Sequence, residues 1–151
     1  MASDPQMRKT IDEAAARAAF EHALATYDQD FGKFFLARLF GMEFEYLEDA
    51  CRISFDVKEF MSNPRGGLHG GVIAFVLDIS MGHLLQRKVG AGTTVEMKVQ
   101  YLKAVSSGRA TATGRFLRQG RTLSYLHSEL VDEKGGMIAY ATGTWMALKK
   151  E

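Results

Sequence analysis

One carboxylate stands alone in an apolar stretch of this sequence. From Gly66 to Leu85 the only formally charged residue is Asp78, and the residues around it have the composition of a buried helix. Burial disfavours the charged form of a carboxylate, so we expect a raised pKa for Asp78 unless a partner compensates. A carboxylate tuned in this way can act as a general base or a nucleophile. The alternative is a structural role, in which Asp78 caps a neighbouring loop or pairs with an arginine.

Two glycines stand where this helix is expected to begin. The first backbone N–H groups of a helix have no intrahelical partner, and the helix dipole gives them a partial positive charge. At Gly70 and Gly71 no side chain keeps a substrate carbonyl away from these groups, which can stabilise a developing oxyanion. A tight turn without a chemical role explains the glycines equally well. Together with the buried acid, they indicate a site for acyl chemistry.

The spacing of Gly70 and Asp78 restricts how the two residues act together. They are eight residues apart, which separates them by about 12 Å along a helix axis and by about 80° around it. An oxyanion donor and an attacking group must both lie about 3 Å from the same carbonyl. If both serve one reaction, Gly70 of one subunit must therefore face Asp78 of another. A two-fold dimer would hold two such sites at its interface.

The periodicity around this segment predicts an α+β domain. An apolar helix is expected over about residues 70–87. The strand that follows it alternates, with one face formed by Val95, Met97, Val99 and Tyr101. Other strands are predicted within 42–60, with a turn near Glu48-Asp49, and near 109–118, 121–132 and 137–148. Because the helix is apolar nearly all round, either a curved antiparallel sheet wraps it or a flat α+β layer covers it.

The residues before this domain are expected to be helical. Thr10 and Glu13 form a capping box for a first helix, which Gly32 is expected to end. A short second helix is expected over 33–40, closed by Gly41.

The composition restricts the classes of function. The chain has 151 residues, of which 46% are hydrophobic and 25% charged, as in a single soluble domain. A net charge of +1 argues against a general nucleic-acid binder, since no large positive field attracts phosphates. The lone Cys51 excludes an internal disulfide, and the N-terminus lacks the apolar core of a signal peptide. We expect a cytoplasmic protein without a membrane partner and, from the spacing of its ligand-type residues, without a metal site.

A motif of characteristic spacing is formed by Asn63, His69, Gly70, Gly71 and Asp78. With the strand after the helix and the later turns, it resembles the hotdog-fold acyl-CoA thioesterases of the PaaI type. The resemblance covers about residues 40–148 and implies a curved antiparallel sheet wrapped around one long central helix, with an additional N-terminal helix. It implies an N-terminal helical segment, 1–40, and a hotdog thioesterase domain, 41–151. Members of this family form dimers and often tetramers.

The resemblance also implies an activity, the hydrolysis of acyl-CoA thioesters to a free acid and CoA. By position, Asp78 resembles the catalytic carboxylate, and the backbone N–H of Gly70 resembles the oxyanion donor. Asn63 resembles a residue that orients water or the thioester, and Thr94 one that helps to position the attacking water. Whether Asp78 activates water or attacks the carbonyl itself stays open. CoA is part of the substrate, so no separate cofactor is expected.

Other residues are expected at the substrate. His69 and Gly71 flank the oxyanion donor, and His69 is expected to support the turn by hydrogen bonding. A turn that touches CoA in the family is formed here by Gly120, Arg121 and Thr122. Candidates for contact with the CoA phosphates, unless they are merely solvated, are Arg115, Arg118 and Arg121, with Arg109 and Lys103 nearby. Candidates for the acyl pocket, unless they only pack the core, are Phe34, Phe35, Leu36, Phe40 and Phe75.

Two other functions stay open. Asp78 and His83 have the spacing of the acid–histidine pair in hotdog hydratases, but Ser80 and Met81 stand where that family has Asn and Pro. A non-catalytic acyl-CoA-binding module would have the same pocket without turnover. The expected partners are an acyl-CoA and further copies of this chain, as a dimer or a dimer of dimers.

Overall fold

The computed structural model describes residues 11–148, which form three helices and a six-stranded antiparallel sheet. The helices are α1 (Glu13–Thr26), α2 (Phe35–Leu39) and α3 (Gly70–Lys88), with a short 3₁₀ turn at Glu59–Met61. The strands are β1 (Glu43–Tyr46), β2 (Ala50–Asp56), β3 (Gly92–Tyr101), β4 (Arg109–Arg118), β5 (Leu123–Asp132) and β6 (Met137–Ala147). Their order across the sheet is β1-β2-β4-β5-β6-β3, so β3 lies at an edge. The predicted α+β class is confirmed.

The sheet curves around α3. This helix contacts strands β2 to β6, although a helix is only about 10 Å wide and five strands span about 19 Å. A flat sheet would leave the outer strands out of reach, so the wrapped arrangement is confirmed and the flat layer is wrong. The core between helix and sheet includes the fully buried Cys51, which behaves as a small apolar residue. No helix within residues 11–148 has both the length and the apolarity needed to cross a membrane.

Two glycines let α3 lie close to the sheet. A Cβ on Gly114 of β4 would lie 2.5 Å from the carbonyl oxygen of Ser80, and a Cβ on Gly82 would lie 2.6 Å from the Trp145 ring. The hydroxyls of Ser80 and Ser128 are hydrogen-bonded across this contact at 2.7 Å. These close approaches fix the position of α3, and therefore of Asp78, against the sheet.

The N-terminal helix has bounds different from those predicted. Its N-cap is Asp12, whose Oδ1 accepts a hydrogen bond from Ala15 N–H at 3.0 Å. The predicted capping residue Thr10 lies outside the described residues. The helix ends at Thr26, before the predicted stop at Gly32, because the backbone is already extended at Tyr27. The second helix, α2, is shorter than the predicted 33–40, and Gly41 follows it with a positive φ of 63°.

A β-bulge interrupts the predicted alternation of β3. Thr94 lies opposite Trp145 of β6, and Glu96 lies opposite Thr144, so Val95 is an extra residue in the strand. The prediction that Val95 shares a face with Met97 is therefore wrong, and its side chain is 55% exposed. Bulges re-aim the neighbouring side chain. Here the extra residue turns Thr94 toward α3.

Candidate active site

Asp78 lies in the middle of α3, and its side chain is hydrogen-bonded to a hydroxyl group. Thr94 Oγ1, which the bulge in β3 directs at the helix, donates to Asp78 Oδ1 at 2.9 Å. No arginine pairs with Asp78 among residues 11–148. Burial raises the pKa of Asp78, and the hydrogen bond from Thr94 opposes this by lowering it. A neutral donor on one oxygen leaves Oδ2 available to take a proton.

The start of α3 leaves one backbone donor unused. His69 is the N-cap, and its Nδ1 accepts from Gly71 N–H at 2.8 Å. Its carbonyl accepts from Val72 N–H at 3.0 Å and from Ile73 N–H at 3.1 Å. Of the four N–H groups that begin a helix without an intrahelical partner, only that of Gly70 has no acceptor in the described part of the chain. Among the described residues, the Gly70 N–H is therefore the one free donor at the start of α3, and its role as oxyanion donor stays a prediction.

The roles of His69 and Gly71 differ in this geometry. The His69 side chain supports the turn through its bond to Gly71, and this bond occupies the Gly71 N–H. Gly71 therefore supplies space: a Cβ there would lie 3.1 Å from His69 Nδ1. Contact of either residue with substrate stays a prediction.

Asn63 organises the loop that leads into α3. Its Oδ1 accepts from Arg65 N–H at 2.8 Å, and its backbone is bonded to Gly66 and Gly67. The side-chain amide is therefore oriented, and within residues 11–148 its Nδ2 has no acceptor. This NH₂ group can donate to a water or a carbonyl.

The predicted CoA-contact turn, 120–122, lies at the end of the sheet that carries Thr94. Ser124, just after the turn, lies opposite Trp145 of β6, and Trp145 lies opposite Thr94 of β3. Two strand spacings amount to about 10 Å, so the turn is near the Asp78–Thr94 pair of the same protomer. Gly120 is held by its N–H, which donates to Ser124 Oγ at 3.1 Å.

The predicted basic cluster is smaller than expected. Three of its members are engaged in ion pairs: Lys103 with Asp132, Arg115 with Asp49, and Arg109 with both Glu43 and Asp56. Arg118 and Arg121 have no carboxylate partner in the described residues. Arg118, just before the 120–122 turn, and Arg121, within it, are thus available to bind an anion.

The candidate residues form two groups within one protomer. Asp78 and Thr94 make one group, and Ser124, just after the 120–122 turn, lies two strands and about 10 Å from Thr94. Asn63 and Gly70 make the other group, at the start of α3. The helix separates the two groups by about 12 Å. A single chain does not bring them to one carbonyl.

His83 does not form a pair with Asp78. It is 5% exposed, stacks on Phe44 and has its Nδ1 hydrogen-bonded to Tyr46 Oη at 3.1 Å. Five residues of helix turn it about 140° away from Asp78. Burial lowers the pKa of His83 to about 4. No group of three His, Cys, Asp or Glu side chains within residues 11–148 is arranged to hold a metal ion.

Only part of the predicted acyl-pocket set comes together. The rings of Phe34 and Phe40 both contact Phe75 of α3 edge-on, at centroid distances of 6.2 and 5.8 Å. Phe35 instead packs against α1, and Leu36 is 43% exposed. The aromatic cluster beside α3 is thus made by three of the five residues.

The sequence reasoning missed one contact at the helix start. Tyr101, at the end of β3, donates from its hydroxyl to the carbonyl oxygen of Gly70 at 3.2 Å. The prediction treated Tyr101 only as a member of an apolar strand face. Since β3 follows α3 after a short turn and runs back beside it, the end of β3 must lie near the start of α3, and this order of elements could have revealed the contact.

Comparison with known proteins identifies the family of this chain. The family model described as "Thioesterase superfamily" matches residues 65–139. The medium/long-chain acyl-CoA thioesterase YigI of Escherichia coli is 30% identical over 128 residues, covering 72% of this chain and 83% of YigI. Acyl-coenzyme A thioesterase 13 of Pongo abelii is 34% identical over 85 residues, covering 54% of this chain and 61% of that protein.

Solved structures show the same fold. The E. coli PaaI protein from the phenylacetic acid degradation operon superposes with a TM-score of 0.74 at 18% identity, covering 89% of this chain and 96% of PaaI. This chain thus has thioesterase relatives, and its structure combines a helix wrapped by the sheet, an edge strand β3 and two glycines at the start of α3. This chain belongs to the thioesterase superfamily and has the hotdog fold.

Proposed function

We propose that this protein hydrolyses acyl-CoA thioesters, with Asp78 as the catalytic carboxylate. The observation that carries the proposal is the state of Asp78: it is partly buried, unpaired with any cation in residues 11–148, and held through one oxygen by Thr94. A carboxylate fixed in this way, with a raised pKa, is suited to accept a proton. The name of the relative YigI, an acyl-CoA thioesterase, supports the same substrate class.

The leaving group of this reaction needs no general acid. A thiolate, with a pKa near that of cysteine, leaves without help from a strong acid. Either Asp78 Oδ2 takes a proton from a water whose oxygen bonds to the carbonyl carbon, or Oδ2 itself bonds to that carbon and gives a mixed anhydride that water then hydrolyses. In both cases the carbonyl oxygen gains negative charge, and this charge returns to the carbonyl as the C–S bond breaks and CoA leaves as a thiolate that takes up the proton. Gly70 N–H donates to that oxygen, and Asn63 Nδ2 orients the water or the thioester. No cofactor beyond the CoA of the substrate is required.

The two groups of residues meet across a dimer. Strand β3 is ten residues long, and its outer edge is unpaired among the described residues. An unpaired edge is a template for a second strand. If two copies of β3 pair antiparallel about a two-fold axis near the strand centre, the Tyr101 end of one lies beside the Thr94 end of the other. Gly70, which contacts Tyr101, then approaches the partner's Asp78.

The CoA end of the substrate is assigned to the turn at 120–122. Arg118 and Arg121 belong to that region and have no carboxylate partner in the described chain. Both arginines lie at the same end of the sheet as Thr94. If they bind the CoA phosphates, the thioester of the same substrate can reach Asp78. The acyl group would lie on the apolar side, for which Phe75 and its aromatic neighbours are the candidates.

A panel of acyl-CoAs with a thiol reagent tests the proposal. We expect release of free CoA, with a saturable dependence on substrate. Loss of enoyl absorbance without thiol release would indicate a hydratase, and binding without either signal would indicate a non-catalytic module. Either of those results would contradict the proposed function.

A further inference from the structure

Tyr101 makes two contacts with Gly70, the proposed oxyanion donor. Its hydroxyl donates to the Gly70 carbonyl oxygen at 3.2 Å. Its ring lies over the glycine, where a Cβ would be only 3.3 Å from Tyr101 Cε1. The side chain is nevertheless 56% exposed. A tyrosine that buries so little of its surface contributes little to the core, so these two contacts need another explanation.

The contacts of Tyr101 restrain the Gly70–Gly71 peptide, which follows the peptide that carries the proposed donor. Glycine has more backbone freedom than any other residue, and a donor that must reorient during the reaction stabilises charge poorly. On the N-terminal side, His69 N–H donates to the Met61 carbonyl at 2.9 Å, and the His69 carbonyl accepts from Val72 and Ile73 N–H. On the C-terminal side of Gly70, Tyr101 holds the carbonyl oxygen. Gly70 is thus held from both sides while its N–H stays free.

We infer that Tyr101 is a positioning residue of the oxyanion hole, acting through the backbone of Gly70. The inference rests on the proposed function, because it gives Gly70 N–H a role in thioester hydrolysis. Tyr101 touches no reacting atom in this role. By holding the Gly70 carbonyl it limits rotation of the Gly70 backbone and so helps to keep the N–H in place, and its effect must be larger on charge stabilisation than on substrate binding.

The test removes only the hydroxyl, with Tyr101→Phe. We expect kcat to fall about three- to tenfold, the range that one neutral hydrogen bond supplies, with KM nearly unchanged. The matched control is Tyr140→Phe, since Tyr140 lies opposite Gln100 on the other face of the sheet. This control is expected to keep the activity of the unmodified protein. Melting temperatures establish that both variants are folded.

A pair of inhibitors separates positioning from a merely structural role. A trifluoromethyl ketone analogue of acyl-CoA adds water or the Asp78 carboxylate at its carbonyl carbon and becomes a tetrahedral adduct with an oxyanion, whereas the thioether analogue has no carbonyl there and binds without one. Tyr101→Phe should weaken the ketone by about the same factor as kcat and leave the thioether unchanged. Equal effects on both analogues, or none on either, would overturn the inference. If the Phe variant does not fold, Tyr101→Leu is measured with the same inhibitor pair and must show the same selective loss.

Different results would contradict the thioesterase function and the role of Tyr101. If the unmodified protein releases no CoA from any acyl-CoA, the proposed function is wrong. If it turns over and Tyr101→Phe matches it in kcat and in both inhibitor affinities, only the role of Tyr101 is wrong.

Discussion

Two opposing influences act on the carboxyl group of Asp78. Burial raises its pKa, and the hydrogen bond from Thr94 lowers it. The net result is a pKa above that of an ordinary carboxyl, in a group that no cation neutralises within residues 11–148. Such a group costs folding free energy when it ionises. At the scale of the residue, this cost is evidence for a chemical role.

Replacing Asp78 by Asn should separate activity from stability. We expect kcat to fall by about 10²- to 10⁴-fold, since the base or nucleophile is lost. When the pKa of a carboxyl is higher in the folded than in the unfolded protein, the free energy of unfolding decreases as the pH rises from the unfolded-state pKa through the folded-state pKa. Asn does not ionise, so the variant should melt like the unmodified protein at acid pH and at a higher temperature near neutral pH. Unchanged turnover would remove Asp78 from the mechanism.

Thr94→Val should change the pH dependence of activity. The hydrogen bond from Thr94 lowers the pKa of Asp78, so its loss should raise that pKa further. A base is active when deprotonated, so the acid limb of the kcat/KM profile should move to higher pH, and activity should fall most at low pH. Thr94→Ser keeps the hydroxyl and should keep the profile of the unmodified protein. A Val variant whose acid limb does not move would contradict the assigned contact.

Gly70→Pro removes the proposed oxyanion donor with little cost to the fold. Proline is favoured at the first position of a helix, and His69 already has the extended backbone that precedes proline. We expect kcat to fall by about 10²- to 10³-fold. Gly70→Ala keeps the N–H while adding the same Cβ against Tyr101, so it should lose far less. Equal losses in the two variants would show that crowding, and not the N–H, matters.

The elements were more predictable than the contacts between them. Turn residues and alternation located the strands and the long helix, since these patterns are local. The bulge at Val95 could not be read from the sequence, because an extra residue in a strand leaves no mark in composition. The pairing of Arg115 with Asp49 was likewise invisible, since it joins residues far apart in the chain. The motif from Asn63 to Asp78 was found because its residues lie close together in sequence.

The contact between α3 and β4 should be intolerant of a single methyl group. A Cβ on Gly114 would lie 2.5 Å from the Ser80 carbonyl oxygen, a backbone atom that cannot rotate away. Gly114→Ala must push the helix from the sheet, and we expect it to reduce the free energy of unfolding by about 1–3 kcal/mol. Gly67→Ala is the control, because its nearest neighbours would be at 3.7 Å. Urea unfolding measures both, and equal stabilities would contradict the close packing.

In the proposed mechanism, one protomer of the whole molecule does not hold a complete site. The acid and its threonine lie on one part of the chain, and the free helix-start N–H lies about 12 Å away along α3. The unpaired edge of β3 offers a way to unite them, because both groups touch opposite ends of that strand: Thr94 contacts Asp78, and Tyr101 contacts Gly70. A variant that does not form the dimer should then have no thioesterase activity.

Mixing two inactive variants tests whether the site is shared. If each site combines Gly70 of one subunit with the partner's Asp78, a heterodimer of Asp78→Asn and Gly70→Pro subunits contains one doubly damaged site and one intact site. Random mixing makes half of the dimers heterodimers, so activity should recover to about a quarter of that of the unmodified protein. The mixture is made by denaturing and refolding the two variants together, and each variant refolded alone is the control. If each site belonged to a single chain, every site in the mixture would carry one damaged residue, and no activity would return.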